Sequence, residues 1–308
     1  MAAGSNPSAV TVVILTYNRA EELLRTVLHT MSLPEQPPII VVDNGSSDYS
    51  ARLVVERFPS VQVISMPANV GAAARNIGAL AARTKYVAFS DDDTVWAPGS
   101  LATASRLLQD HPGIGVLSAR ILVGAQGRED PACRAMAGSP LPCAGYPGRV
   151  VAGFMAGASV FRRCAFLQAG GYEPKLFIGG EEALLALDLA TRGWSMIYSD
   201  ALTVHHYPSP NRDAVARRRL LTRNALWVAW LRRHPMTVLR HTLSALRNSA
   251  RDPDALIGCI DALRALRWVI RHRRMVPAHV EASWQLIERW LDQNAGSNAA
   301  LPVSTGKR

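Results

Sequence analysis

Three consecutive aspartates, Asp91, Asp92 and Asp93, stand directly after a short apolar run. Carboxylates that close together are unfavourable without a cation between them. Magnesium or manganese suits such a site, since each takes hard oxygen ligands and binds through one or two carboxylates while keeping positions for water and substrate phosphates. Side chains alternate along an extended segment, so Asp91 and Asp93 are expected to point the same way as the metal-facing pair, with Asp92 less committed. A run of helix-capping acids ahead of Pro98 is the competing explanation. Two other polar sets end apolar runs in the same manner: Thr16, Tyr17 and Asn18 after residues 10–15, and Asp43, Asn44 and Gly45 after residues 39–42. Asn, Asp, Gly and Ser are ordinary turn residues, yet three such loops on one edge point to a crevice.

The elements around these residues alternate short β-branched runs with helical stretches, the pattern of a parallel α/β sheet. Residues 10–15 (VTVVIL) form an unbroken apolar run, as a strand buried on both faces requires. Helical spacing of Leu23, Leu24, Val27 and Leu28 predicts a helix over 19–31. Strands are expected over 39–42, 61–65 and 86–89, with helices over 48–57 and 71–83, giving βαβαβαβ. A doubly wound, Rossmann-like and mostly parallel sheet binds ligands outside the carboxyl ends of its strands, where the three loops lie. Farther on, a helix to Gln109, a strand over 115–123, a strand over 156–161, a helix over 181–191 and a strand over 195–198 leading to His205 and His206 are expected. Residues 124–150 are Gly/Pro-rich and too long for an ordinary connection, so a functional loop or mobile lid is expected there.

With these segments in place, the chain resembles the family 2 glycosyltransferases of the GT-A fold: VVILTYNR, IIVVDNGSSD, NVGAAARNIG, FSDDD and GGEEALLALDLATRGW stand in the family's order over about residues 10–209. That resemblance implies an inverting transferase that moves a sugar from a nucleoside-diphosphate sugar, uridine or thymidine type favoured, to an acceptor hydroxyl. It places Thr16, Tyr17 and Arg19 in the first nucleotide-contacting loop and Asp43 on the imide edge of the base, where an acceptor-only carboxylate is chemically apt. Asn69, Gly71, Arg75 and Asn76 match the segment lining the donor pocket. Asp91 and Asp93 match the DxD metal site for Mg2+ or Mn2+, Asp91 and Asp92 also border the nucleotide, and His205 is preferred to His206 as a further metal contact. Glu182, beside Glu181, takes the place of the catalytic base; relatives usually carry Glu-Asp there, and many carry an arginine at the position of Asp188 and an acid at that of Leu184. The acceptor implied is a glycan or glycolipid of the cell envelope. A catalytically degenerate scaffold that binds a nucleotide sugar or glycan is the alternative; a sugar nucleotidyltransferase fits less, because TYNR stands where a Gly-rich phosphate loop would be.

Composition bounds the rest. A chain of 308 residues, 48% hydrophobic, buries one large core or one core with a smaller unit. The boundaries read as a catalytic unit over 8–210, a basic amphipathic helical region over 211–296 and a disordered tail over 297–308. Cys133, Cys143, Cys164 and Cys259 form no CxxC pair and read as reduced thiols, with the site expected to face the cytosol. The net charge of +10 is regional, since Arg212 to Arg274 contains fifteen arginines against four aspartates. Such a segment suits anionic lipid headgroups, nucleic acid or an acidic partner, and the solvated face of ordinary amphipathic helices explains it equally; the cell-envelope setting that the resemblance implies makes a cytoplasmic protein, peripheral on the inner face of the membrane, the expectation. No helix-turn-helix or zinc pattern supports specific nucleic-acid readout.

Overall fold

The structure, a computed structural model, describes residues 8–143, 145–208, 214–250 and 252–294. The expected tail over 297–308 and the boundary at Pro210, with Arg212 and Asp213 beyond it, lie outside those residues.

The first half follows the expected alternation: β1 Val10–Thr16, α1 Ala20–Met31, β2 Ile39–Asp43, α2 Ser50–Arg57, β3 Gln62–Ser65, a 3-10 turn at Gly71–Ala73 running into α3 Ala74–Ala81, and β4 Tyr86–Asp91. Every residue of β2 is buried and all but one of β1, because helices cover both faces of the sheet here. The second half comprises β5 Thr94–Trp96, α4 Ser100–Asp110, β6 Ile114–Val123, β7 Arg128–Glu129, α5 Pro131–Ala137, β8 Arg149–Val150, β9 Ala158–Arg162, α6 Arg163–Gln168, α7 Glu181–Thr191 and β10 Ser195–His206. Five helices follow: α8 Ala214–Arg232, α9 Pro235–Ser249, α10 Pro253–Arg264, α11 Leu266–His272 and α12 Ala278–Gln293.

The main sheet order is β3-β2-β1-β4-β9-β6-β10-β5. It is parallel from β3 to β4, as expected, and mixed beyond: β9 runs antiparallel to both β4 and β6, while β10 is parallel to β6 and β5 antiparallel to β10. The segment over 124–150, expected as a loop or lid, carries β7, α5 and β8 and is otherwise loop among its described residues. Asp130 caps α5 by accepting from the Ala132 N–H at 2.8 Å, and β8 pairs with β10. Pairing gives this stretch hydrogen-bond partners that a free lid lacks.

The helical C-terminal region is fastened to the sheet region. Fully buried Asn224 of α8 donates to the carbonyls of Leu176, Ile178 and Gly179, just ahead of α7. Asp188 of α7 accepts from Arg232 Nε at 2.5 Å and Nη2 at 3.0 Å, a bidentate pair that gives this acid a partner on α8.

Candidate functional site

Parallel register sets Asp43 level with Thr16, and Asp91 level with Leu15, across β2, β1 and β4. Neighbouring strands are about 4.8 Å apart, so Asp43 and the aspartates share one rim within about 10 Å. Asp43 is buried and accepts from the Ser46 N–H at 3.2 Å. Asn18, in a left-handed conformation at φ 53°, accepts from the Ser47 N–H at 2.8 Å and so locks the first loop to the second. Tyr17 is exposed.

The third loop holds its own shape. Asn69 Oδ1 accepts from the Gly71 N–H and from Asn44 Nδ2, each at 2.9 Å, and Asn44 accepts in turn from the Val70 N–H. Gly71 sits at φ 65°, and a Cβ there would overlap the carbonyl of Phe177, which accepts from the Ala72 N–H at 2.7 Å. The close approach at Gly71 is therefore made by the protein's own backbone, and it ties this loop to the segment leading into α7.

The extended geometry expected across Asp91–Asp93 is replaced by a tight turn between β4 and β5, so alternation no longer sets the side chains. Asp92 and Asp93 are both buried and share Arg19, whose Nη1 lies 3.0 Å from Asp92 Oδ1 and 3.1 Å from Asp93 Oδ2. Thr16 Oγ1 donates to Asp92 Oδ2 at 2.9 Å. Burial pushes the Asp92 carboxyl up to about 7, with Arg19 and Thr16 pulling it back and Asp93 and Asp91 adding to the rise. Asp91 turns to a different cation: it pairs with Arg75, which is almost wholly buried. Gly157 makes room for it, since a Cβ there would come within 2.6 Å of Asp91 Oδ2.

Arg75 joins the two acidic groups of the site, acting on Asp91 and also on Glu181 and Glu182. Glu181 and Glu182 open α7, where the helix N-terminus favours negative charge. Glu182 Oε1 accepts from the Ala156 N–H at 2.6 Å. Burial pushes the Glu182 carboxyl up to about 8; Glu181 adds to the rise, and the Ala156 N–H and Arg75 oppose it. Beside them Tyr172 is buried, its hydroxyl without a hydrogen-bond partner among the described residues. Asn76 clamps its backbone, donating to the Tyr172 carbonyl at 2.8 Å and accepting from its N–H at 2.9 Å. The one local signal for Tyr172 in the sequence is the preceding Gly170-Gly171 pair, which at φ 95° and 67° marks a turn that only such residues make easily.

Of the two histidines, His206 is the one that faces Asp93, its Nε2 3.6 Å from Asp93 Oδ1. Consecutive strand residues point to opposite faces, so the preferred His205 is turned away from that side chain. β5 fixes this register by pairing His206 with Thr94 and His205 with Val95. No group of three or more His, Cys, Asp or Glu among the described residues is arranged to enclose a metal. A carboxylate with one imidazole beside it nevertheless fits a hard cation that completes its shell with water and substrate phosphates. Arg19 occupies part of the charge that such an ion would neutralise.

The sequence profile of "Glycosyl transferase family 2" matches residues 11–167, from the start of β1 to the end of α6. The chain belongs to that family. Among its relatives is the N-acetylglucosaminyl-diphospho-decaprenol L-rhamnosyltransferase of Mycobacterium tuberculosis, 27% identical over 78% of this glycosyltransferase and 95% of the relative. The pre-mycofactocin glycosyltransferase of the same organism is 30% identical over 75% of this chain and 49% of its own length. Similar solved structures are GalNAc-T7 with UDP, GalNAc and Mn2+, at TM-score 0.62 and 16% identity over 94% of this chain and 57% of that one, and the mannosyltransferase PcManGT from Pyrobaculum calidifontis with GDP-Man and Mn2+, at TM-score 0.54 and 19% identity over 96% and 77%. At that identity the likeness to the solved structures is one of fold, the GT-A architecture, and it extends over the mixed half of the sheet.

Proposed function

We propose that this glycosyltransferase moves a sugar from a uridine or thymidine diphosphate donor to a hydroxyl of a lipid-linked glycan in cell-envelope synthesis, by one in-line displacement with inversion. The observation that carries the reading is the meeting of Glu182 and Asp91 around buried Arg75 on the rim that also holds Asp43. A lipid-linked acceptor is favoured by the decaprenol carrier in the name of the rhamnosyltransferase relative.

Glu182 acts as the base. Its Oε1 is held by the Ala156 N–H, leaving Oε2 to take the acceptor proton as the hydroxyl attacks the anomeric carbon. Thr16, Tyr17, Arg19 and Asp43 bind the nucleotide, with Asp43 reading the base N–H. Asn69 and Gly71 shape the pocket wall, and Arg75 keeps a fixed positive charge between the donor side and the base. Asp93 and His206 would hold magnesium or manganese, with Asp91 beside them; when bound, the ion supplies positive charge to the departing diphosphate.

A panel of uridine, thymidine and guanosine diphosphate sugars, read by thermal shift with magnesium or manganese present, tests the donor half. Uridine or thymidine donors should stabilise the protein and Asp43→Ala should remove that gain; equal stabilisation by guanosine donors would overturn the assignment. In the transfer half, Glu182→Gln should retain donor binding and lose turnover, and comparable turnover in that variant would refute the base.

A further inference from the structure

Away from the pocket, an apolar surface spreads over three consecutive helices. α9 turns Met236, Leu239, Leu243 and Leu246 outward at spacings of three and four, between 41% and 74% exposed. α10 presents Ile260 and Leu263, 44% and 59% exposed, and α11 presents Ile270 at 66%. α10 packs against both α9 and α11, and all three rest on α8, so the outward stripes adjoin. Contiguous exposure of this kind marks a surface that something covers.

Charge identifies the cover. α9 and α11 contain no acidic residue. In α10 the acids turn toward α8, Asp254 pairing with Arg218 and Asp261 with Arg219. Exposed Arg247, Arg267, Arg271 and Arg274 carry no ion pair among the described residues. A second copy of this chain set on the same face by two-fold symmetry would bring these arginines against their own kind. Nucleic acid would answer the charge and leave the leucines and isoleucines in water. No helix among the described residues is long and apolar enough to cross a membrane.

We infer that the α9-α10-α11 face docks in the plane of an anionic bilayer, with Leu239, Leu243, Ile260, Leu263 and Ile270 entering the headgroup–acyl boundary and Arg247, Arg267 and Arg271 lying among acidic headgroups. This reaches beyond the transfer reading and holds independently of it. The orientation also follows: α8, directly beneath the docked face, is the helix whose Asn224 and Arg232 grip α7 and the segment before it, so the base-bearing helix lies one layer behind the docked surface.

Co-sedimentation of the full chain with phosphatidylcholine vesicles, with and without about 30% phosphatidylglycerol, tests it. The protein should pellet with the anionic vesicles and keep part of that binding at about 0.5 M salt, where screening removes purely electrostatic attachment. Leu243→Ser/Ile260→Ser/Leu263→Ser should weaken binding on the order of 100-fold, and Arg247→Gln/Arg267→Gln/Arg271→Gln should remove the preference for anionic lipid. Both variants should melt at the wild-type temperature and keep uridine or thymidine diphosphate binding, which separates a docking failure from a failure of the donor reading. As a second measurement, a fluorophore on Ile270→Cys should shift to the blue with anionic vesicles alone. Wild-type protein that stays in the supernatant, serine variants that pellet as well as wild type, or a dimer by light scattering that the serine changes dissolve without any vesicle binding would each overturn the inference.

Discussion

Arginines and carboxylates are buried together in two regions of this molecule, and the two mixtures behave oppositely. In the helical region Arg233 lies between Glu281 and Glu288, its Nε 2.9 Å from one and its Nη1 2.5 Å from the other, with Arg240 and His241 also on Glu288 and Thr237 donating to Glu281 at 2.5 Å. Burial alone would raise both glutamates; donors from Arg233, Thr237 and Gln285 hold Glu281 down at about 2, and those from His241 and Arg233 do the same for Glu288. At the strand ends Arg19 and Arg75 face five acids, Asp91, Asp92, Asp93, Glu181 and Glu182, and there burial wins: Asp92 rises to about 7 and Glu182 to about 8. The ratio of donors to carboxylates separates a cluster that holds helices together from one left ready for added positive charge and a proton.

Exchanging Glu182, the proposed base, for a neutral isostere is the largest test of that contrast. Glu182→Gln should lower transfer by about 10³-fold, measured by product formation under saturating donor, while the melting temperature stays level or rises because a crowded acid has gone. The same logic inverts in the helical cluster. Arg233→Met should cost about 3 kcal/mol by taking from two buried carboxylates the cation they share, read by denaturant unfolding, with kcat/KM of the folded protein kept. If both substitutions shifted the same property, the two clusters would not differ in kind.

Titration separates them next. Free-enzyme kcat/KM should climb with pH and level off above about 8, since the Glu182 carboxyl must lose its proton to serve as base. Its raised value also favours the folded protein at low pH, a contribution present below the ordinary glutamate value near 4.5 and lost as pH rises through about 8. Glu281 and Glu288 act in the opposite sense: their stabilisation is present above about 4.5 and lost as pH falls through about 2. Unfolding measured from pH 2 to 9 checks both slopes. The smallest effect belongs to Thr16→Val, which removes one donor from Asp92 and should cost about 1 kcal/mol while raising that carboxyl further; an unchanged Asp92 titration by carbon-13 NMR would show that Arg19 alone sets it.

The parallel half of the fold was legible because β1 and β2 are buried on both faces and so read as unbroken apolar runs ending in polar loops. Convergence of Asp43 with the aspartates followed from that topology alone. Elsewhere a longer-range constraint acts. Asp92 and Asp93 turn because β5 folds back to pair with β10, and that same pairing decides that His206 faces Asp93; neither is encoded within the DDD run. β9 looks like any buried strand, and its antiparallel direction is set by how the 124–150 segment returns. The apolar stripe of α9 has the spacing of a core helix, and periodicity says only that such residues share a face, not which face is covered.

The hydrogen bond from the Ala72 N–H to the Phe177 carbonyl, with Gly71 leaving the space for it, has a mechanical consequence. The Gly71 loop and the segment leading into α7 share one hinge pin, so neither can shift without dragging the other. An alanine at Gly71 would pry that joint open. The damage would reach Glu182, five residues past Phe177, before it reached the sheet.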